Sequence, residues 1–153
     1  MIGWLLDTNV ISEAARPHPD PNVTAWLGAQ PEETLFLSVL TLGEAEQGIS
    51  MLDPADPKRS RLAAKWRAIE ERFAGRVIGV SDPIVRGWGR ISADVRKRGE
   101  RPSVIDTMLA ATALEHDFYL ATRNTKDVAL TGAALFNPWQ DNPAAFPLAP
   151  WKG

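Results

Sequence analysis

Ile2-Gly3-Trp4-Leu5-Leu6-Asp7-Thr8-Asn9 is the stretch on which the fold turns. Its apolar run shows no polar alternation, the mark of a strand buried on both faces, and it stops abruptly at an acid. A strand of that kind belongs to a parallel sheet covered by helices on both sides. The position just past its carboxyl end is where such sheets open their ligand crevice. Asp7-Thr8-Asn9 places a carboxylate, a hydroxyl and an amide on consecutive residues, where a helix is expected to start near Thr8. The same residues also describe an ordinary helix N-cap, a position that Asp and Asn favour.

The rest of the chain keeps alternating strand and helix. Strands are expected over residues 2–6, 35–39, 76–80 and 118–122, with a short fifth at 135–136. Arg16-Pro17-His18-Pro19-Asp20-Pro21 is a Pro-rich break. Beyond it Val23, Trp26 and Leu27 fall at i, i+3 and i+4, a short amphipathic helix ending near Gly28. Thr41 opens a helix to about Met51, and the Asp53-Pro54 and Asp56-Pro57 pairs break it. Leu62, Trp66, Ile69 and Phe73 mark one face of a longer helix that Gly75 ends. Ser81-Asp82-Pro83 is an N-cap with proline at the helix start, and Ile84, Val85, Trp88, Ile91 and Val95 form a stripe that stops at Gly99. Pro102-Ser103 starts another helix through about Glu115. From Asp141 onward, Pro143, Pro147 and Pro150 make an irregular tail. The expected fold class is therefore α/β, three layers, with about five mostly parallel strands and helices on both faces.

A chain of 153 residues, 44% hydrophobic and 24% charged, fits one domain with a real core and excludes a wholly disordered chain. No apolar run approaches the ~20 residues of a membrane span. The amino-terminal apolar stretch has no Lys or Arg before it, unlike a secretory signal. The absence of cysteine excludes disulfide scaffolds, thiolate metal sites and cysteine nucleophiles, and makes a cytoplasmic home the expectation. Net charge is −2, but its distribution is uneven. Residues 1–52 hold one basic residue, Arg16, against seven acids, whereas residues 53–101 hold thirteen basic against seven acidic. A basic middle between acidic ends suits a protein that holds metal beside a polyanion, although Lys and Arg covering exposed helix faces would give the same count.

Three acids are the candidates for chemistry. Asp7 ends the first strand. Glu44 follows the second strand, where Thr41-Leu42-Gly43-Glu44 also has capping-box spacing. Asp106 lies in Ser103-Val104-Ile105-Asp106, at the head of a helix rich in small residues, Ala110-Ala111-Thr112-Ala113. Small residues allow close helix packing, so an acid there should be partly desolvated and in need of a cation. Carboxylates gathered at one strand edge repel unless a positive ion lies between them. Hard oxygen ligands point to Mg²⁺ or Mn²⁺ rather than Zn²⁺, a combination equipped to hydrolyse phosphodiesters. Arg96, Lys97, Arg98 and Arg101 flank Gly99, just ahead of Asp106. They either grip phosphates beside the scissile bond or complement the dipole of their own helix. His116 reads as a helix-end residue, His18 as an exposed loop residue, and the six tryptophans mostly as packing. Gly87-Trp88-Gly89 is mid-helix and is no dinucleotide fingerprint; a P-loop, Gly-x-Ser-x-Gly and His-Glu-x-x-His are all missing.

These residues carry a resemblance. Leu6-Asp7-Thr8-Asn9-Val10-Ile11-Ser12-Glu13 looks like the opening of PIN-domain ribonucleases of the VapC toxin type. Phe36-Leu37-Ser38 through Thr41-Leu42-Gly43-Glu44, Ile105-Asp106 through Ala113, and Ala121-Thr122-Arg123-Asn124 resemble the further family blocks in order. Arg16-Pro17 and Asn137-Pro138-Trp139 are similar to the FitB-like subgroup. The resemblance spans residues 1–140 as a PIN-like nuclease domain, with 141–153 as its Pro-rich tail. It implies a metal-dependent endoribonuclease, the toxin of a toxin–antitoxin module. Its partners would be RNA, a small DNA-binding antitoxin and a second copy of the chain. Family acids fall on Asp7, Glu44 and Asp106, and the fourth position falls on Asn124, a neutral amide. Asp127 is the alternative carboxylate at that end. The resemblance assigns Mg²⁺ or Mn²⁺ to Asp7 and Asp106 with help from Glu44, while Thr8, Asn9 and Thr122 orient the carboxylates. Two other classes stay open: a PIN-fold binding module that does not cut, and a Mg²⁺-dependent phosphatase. Phosphatases with an Asp nucleophile need a second Asp two residues on, where this chain has Asn9.

Overall fold

The computed structural model describes residues 3–146, so Met1, Ile2 and residues 147–153 of the tail lie outside the description. In chain order the regular elements are β1 (Gly3–Leu6), α1 (Thr8–Ala14), α2 (Pro21–Ala29), β2 (Leu35–Ser38), α3 (Val39–Ser50) and α4 (Pro57–Arg72). They continue with β3 (Val77–Ile78), α5 (Asp82–Lys97), α6 (Val104–His116), β4 (Phe118–Ala121), α7 (Thr125–Val128) and β5 (Leu135–Phe136). The third strand is two residues long, shorter than residues 76–80. Gly79 and Val80 lie beyond the last paired residue, Ile78, which faces Ser38.

The strands form one five-stranded sheet in the order β3-β2-β1-β4-β5, and every pairing is parallel. β1 is central and buried along its whole length, as its unbroken apolar pattern requires. Trp4 and Leu6 face one layer, with Val10, Ile11, Trp26, Trp66 and Phe136. Leu5 faces the opposite layer, with Leu109, Ala110, Ala113 and Leu120. Each such fully buried leucine is worth roughly 1.5–3 kcal/mol relative to an exposed one. Gly3 has no substitute at the start of β1: a Cβ there would meet ring atoms of both Phe36 and Phe118 at 3.0 Å.

Helix starts follow local chemistry. The Asp20 carboxylate accepts from the backbone N–H groups of Asn22 and Val23 ahead of α2. Asp56 accepts from the Lys58 N–H ahead of α4, and both helices carry proline in their first turn. Gly75 and Gly99 take φ of +81° and +82° and end α4 and α5 where expected. One expectation is corrected. Helix α3 begins at Val39, not Thr41, because the Ser38 hydroxyl at the end of β2 accepts from the Leu40 N–H at 3.0 Å and caps it. Thr41 thus sits inside the helix, fully buried, and its hydroxyl lacks a hydrogen-bond partner. The Thr41–Glu44 capping box does not form, which releases the Glu44 carboxylate for another role.

The small residues of α6 do what small residues allow. Ala110, Ala111, Thr112 and Ala113 are all buried, and a Cβ on Gly87 of α5 would touch the Ala111 Cβ at 3.8 Å. Gly87 is accordingly a helix–helix contact, while Gly89 is exposed. His116 ends α6 and stacks on Phe118 with ring centroids 5.5 Å apart, and His18 is exposed. Trp4, Trp26 and Trp66 are buried packing residues, while Trp139 is only partly covered. After a 3-10 turn at Pro143–Ala145, Phe146 packs on Tyr119 and Phe136.

Candidate active site at the carboxyl edge of the sheet

The chain leaves β1 toward β2 on one side, whereas β4 lies on the other. The carboxyl ends of β1 and β4 therefore flank the point where strand order reverses, the usual place for a ligand crevice. Asp7 follows β1 there, and Thr122 follows β4. The Asp7 backbone N–H donates to the Ala121 carbonyl at 2.9 Å, which extends the ladder by one step and locks the two side chains together.

Asp7 is only 6% exposed, and its oxygens are occupied. Oδ1 accepts from the Thr8 backbone N–H at 2.7 Å, so the N-cap role is real. Oδ2 accepts from the Thr122 hydroxyl at 2.7 Å and, at a longer 3.3 Å, from the Asn9 amide. Thr122 is itself 1% exposed, and its hydroxyl accepts from the Asn124 backbone N–H at 3.0 Å. That incoming donor commits the Thr122 proton to Asp7. Thr8 works in two directions: its N–H serves Asp7 while its hydroxyl donates to Glu44 Oε1 at 2.6 Å. One residue therefore links the acid of α1 to the acid of α3.

Burial pushes the Asp7 carboxyl up to about 6, against the lowering effect of the Thr122 and Thr8 donors, and the charges of Asp106 and Glu44 add to the rise. All three acids thus lie within electrostatic reach of one another. They do not converge, however: among the described residues no three Asp, Glu or His side chains form a ready-made metal cage. The expectation of gathered carboxylates is narrowed accordingly, to a shared electrostatic field. Asp106 is half-buried, in the first turn of α6, where the Ser103 hydroxyl accepts from its backbone N–H at 3.0 Å. Its carboxylate accepts no hydrogen bond among the described residues.

The donor set suits magnesium chemistry. Mg²⁺ keeps several waters and takes one or two carboxylates plus substrate phosphates, rather than an all-protein cage. Asp106, whose carboxylate is unengaged among the described residues, beside the hydrogen-bonded Asp7 and Glu44, matches that habit. Asn9, in the place where a phosphatase of the two-Asp type needs its second carboxylate, points its amide at Asp7 instead.

The remaining candidates sit farther out. Asn124 is exposed and reaches the site through its backbone N–H; its side chain makes no cap bond. Asp127 is exposed on α7 and makes no contact with the three acids among the described residues. Arg96 and Lys97 occupy the last turn of α5, Arg98 caps it, and Arg101 follows in the loop to Ser103; all four are exposed. Sequence reasoning passed over Arg123 as an individual residue. It stands directly after Thr122, with its guanidinium over the Trp139 ring. A basic residue at a strand's carboxyl end among acids was the available signal.

Five parallel strands, helices on both faces and an acid-lined switch point define a single class, and residues 4–130 match the family described as PIN domain. The chain belongs to the PIN domain family. It is 35% identical over 137 residues to Toxin FitB of Neisseria gonorrhoeae, covering 90% of this chain and 99% of that protein. It is equally 35% identical over 137 residues to VapC ribonuclease Y4jK of Sinorhizobium fredii, covering 89% and 97%. Among solved structures, FitAB bound to an IR36 DNA fragment superposes with a TM-score of 0.82 at 34% identity, over 91% of this chain and 97% of that one. FitAcB from Neisseria gonorrhoeae gives 0.80 at 34% identity, over 89% and 98%. No helix among the described residues is long and apolar enough to cross a membrane.

Proposed function

We propose that this chain is a divalent-metal-dependent ribonuclease, the toxin of a toxin–antitoxin pair. One observation carries the reading. Asp7 is buried at the switch point, oriented by Thr8 and Thr122, with the charges of Glu44 and Asp106 acting on it. A fold that needed no cation there would have no reason to hold three acids in one field. Two relatives at 35% identity bear the names toxin and ribonuclease, which agrees with that chemistry.

Asp7 and Asp106 would hold Mg²⁺ or Mn²⁺, with Glu44 joining directly or through water. When bound, the ion supplies an activated water and offsets charge on the phosphate being cleaved. The protein's own work is orientation. Thr122 and the Thr8 N–H pin both Asp7 oxygens, and the Thr8 hydroxyl holds Glu44 in place. Asn124 marks the fourth corner as a neutral donor, with Asp127 as the alternative charge there. Arg96, Lys97, Arg98 and Arg101 lie on the path into Asp106 and would contact flanking phosphates of an RNA chain. The antitoxin is a separate protein, as in the FitAB and VapBC complexes of the relatives. An apolar cleft of about 450 Å³ lined by Ile11, Leu27, Leu35, Ile69 and Phe73 is the surface that this reading gives it, and a second copy of the chain completes a homodimer.

Purified chain, free of antitoxin, should cut RNA with Mg²⁺ or Mn²⁺ and stop when EDTA is added. Asp106→Asn should lose at least ~100-fold in rate while keeping its fold. Cleavage indifferent to chelator, or full activity in Asp106→Asn, overturns the metal reading. RNA binding with no cleavage under any divalent ion leaves a binding module instead.

A further inference from the structure

Arg123 stands at the carboxyl end of β4, directly after the Thr122 that grips Asp7. Side chains alternate past the end of β4. Thr122 turns inward, and Arg123 turns outward to solvent. Among the described residues Arg123 forms no ion pair. Its guanidinium carbon lies 5.0 Å from the centroid of the Trp139 ring.

Trp139 is anchored for that purpose. Its backbone N–H donates to Asn137 Oδ1 at 2.9 Å, and its carbonyl accepts from the Asn22 side chain at 3.0 Å. Asn137, 6% exposed, donates its own N–H to Asp141 Oδ2 at 2.8 Å. The turn at residues 137–141 is therefore a fixed support, braced from α2, with its indole against Arg123. The Arg123 backbone is also tied in, since its N–H points to Asn9 Oδ1 at 3.5 Å. An aromatic face restrains a guanidinium without spending its N–H groups, which project in the plane of the fork. The result is a pre-ordered set of donors matched to phosphate geometry, one residue from the site's most buried contact.

We propose that Arg123, braced on Trp139, is a phosphate-binding subsite for single-stranded RNA, seating a backbone phosphate next to the one that is cleaved. This rests on the ribonuclease reading above. Arg123 is the binding residue and Trp139 the positioning residue. The pair differs from Arg96, Lys97, Arg98 and Arg101, whose side chains have no such brace among the described residues.

The test uses the full chain on an Asp106→Asn background in Ca²⁺, with a short random-sequence oligoribonucleotide, and measures affinity across a salt series. Arg123→Met keeps the apolar stem over Trp139 and removes only the charge. It should weaken binding roughly tenfold and shallow the salt slope by ~0.7, the value of one phosphate contact on a single strand. Arg123→Lys should keep the slope while losing part of the affinity, because the charge survives without the fork. Trp139→Leu should keep the slope and weaken binding about threefold, through lost restraint. A salt slope in Arg123→Met equal to that of the parent overturns the subsite and leaves Arg123 as packing for the 137–141 turn. Failure of the larger reading looks different: the parent would neither bind the oligoribonucleotide nor cut RNA with Mg²⁺.

Discussion

The floor of the site and its rim solve the same electrostatic problem in different ways. On the floor, Asp7 is buried, each oxygen is hydrogen-bonded, and its carboxyl is pushed up to about 6. On the rim, Asp106 is half-buried with a carboxylate unengaged among the described residues, and Asn124 and Asp127 are exposed. Burial makes the floor acid expensive to ionise but fixed in direction. Solvent leaves the rim side chains free to adapt to whatever ion and phosphate arrive. A site with one rigid and one adaptable carboxylate suits an ion that must stay largely hydrated.

The largest expected effect comes from removing the floor's support. Thr122→Val deletes the hydroxyl that lowers the Asp7 carboxyl and aims it. Mn²⁺ affinity, read by calorimetry, should fall about 10- to 100-fold at neutral pH. The acid limb of binding should move above 6, because the lost donor favoured the ionised form. Thr122→Ser should restore both. Unchanged affinity in Thr122→Val would erase the distinction between an oriented floor and a free rim.

Next in size is the cost of charge without metal. In EDTA, an acid whose folded pKa exceeds its ordinary value of 3.8 contributes stability below that value and loses it as pH rises to about 6. Asp7→Asn should therefore be more stable than the parent by about 1–2 kcal/mol at pH 8 in urea unfolding, with the gap closing near pH 4. Asp106→Asn, half-exposed, should stay within ~0.5 kcal/mol of the parent throughout. Equal gains in both variants would mean that burial does not separate the two acids.

The smallest effect belongs to the rim. Asn124→Asp adds a negative charge near the ion and should tighten Mn²⁺ about threefold. Asp127→Asn should change it by less than about twofold, since Asp127 is exposed on α7. A larger loss in Asp127→Asn than gain in Asn124→Asp moves the fourth corner to Asp127.

Much of this was legible in the residues. The unbroken apolar run before Asp7 identified a strand covered on both faces, and the small residues of α6 foretold its close packing. The start of α3 was misread because two hydroxyls compete to cap it. Thr41 has the capping-box partner, but Ser38 stands at the last residue of the strand with extended backbone, φ −99° and ψ 150°, and captures the Leu40 N–H first. Sequence spacing cannot rank two caps whose outcome depends on where a strand stops pairing. The Arg123–Trp139 contact was invisible for a related reason, since a tryptophan counted as core by its spacing can still show one face to a cation.

The sequence by itself determined the order of strands and helices, the burial of the first strand and the identity of the acids, because periodicity and caps are local properties. Only the tertiary structure decided the strand order β3-β2-β1-β4-β5, and with it the meeting of Thr122 and Asp7, 115 residues apart. It alone decided that burial pushes the Asp7 carboxyl up to about 6 while Asp106 is only half-buried. Desolvation and long-range hydrogen bonds depend on what packs around a residue, and no spacing along the chain encodes that neighbourhood.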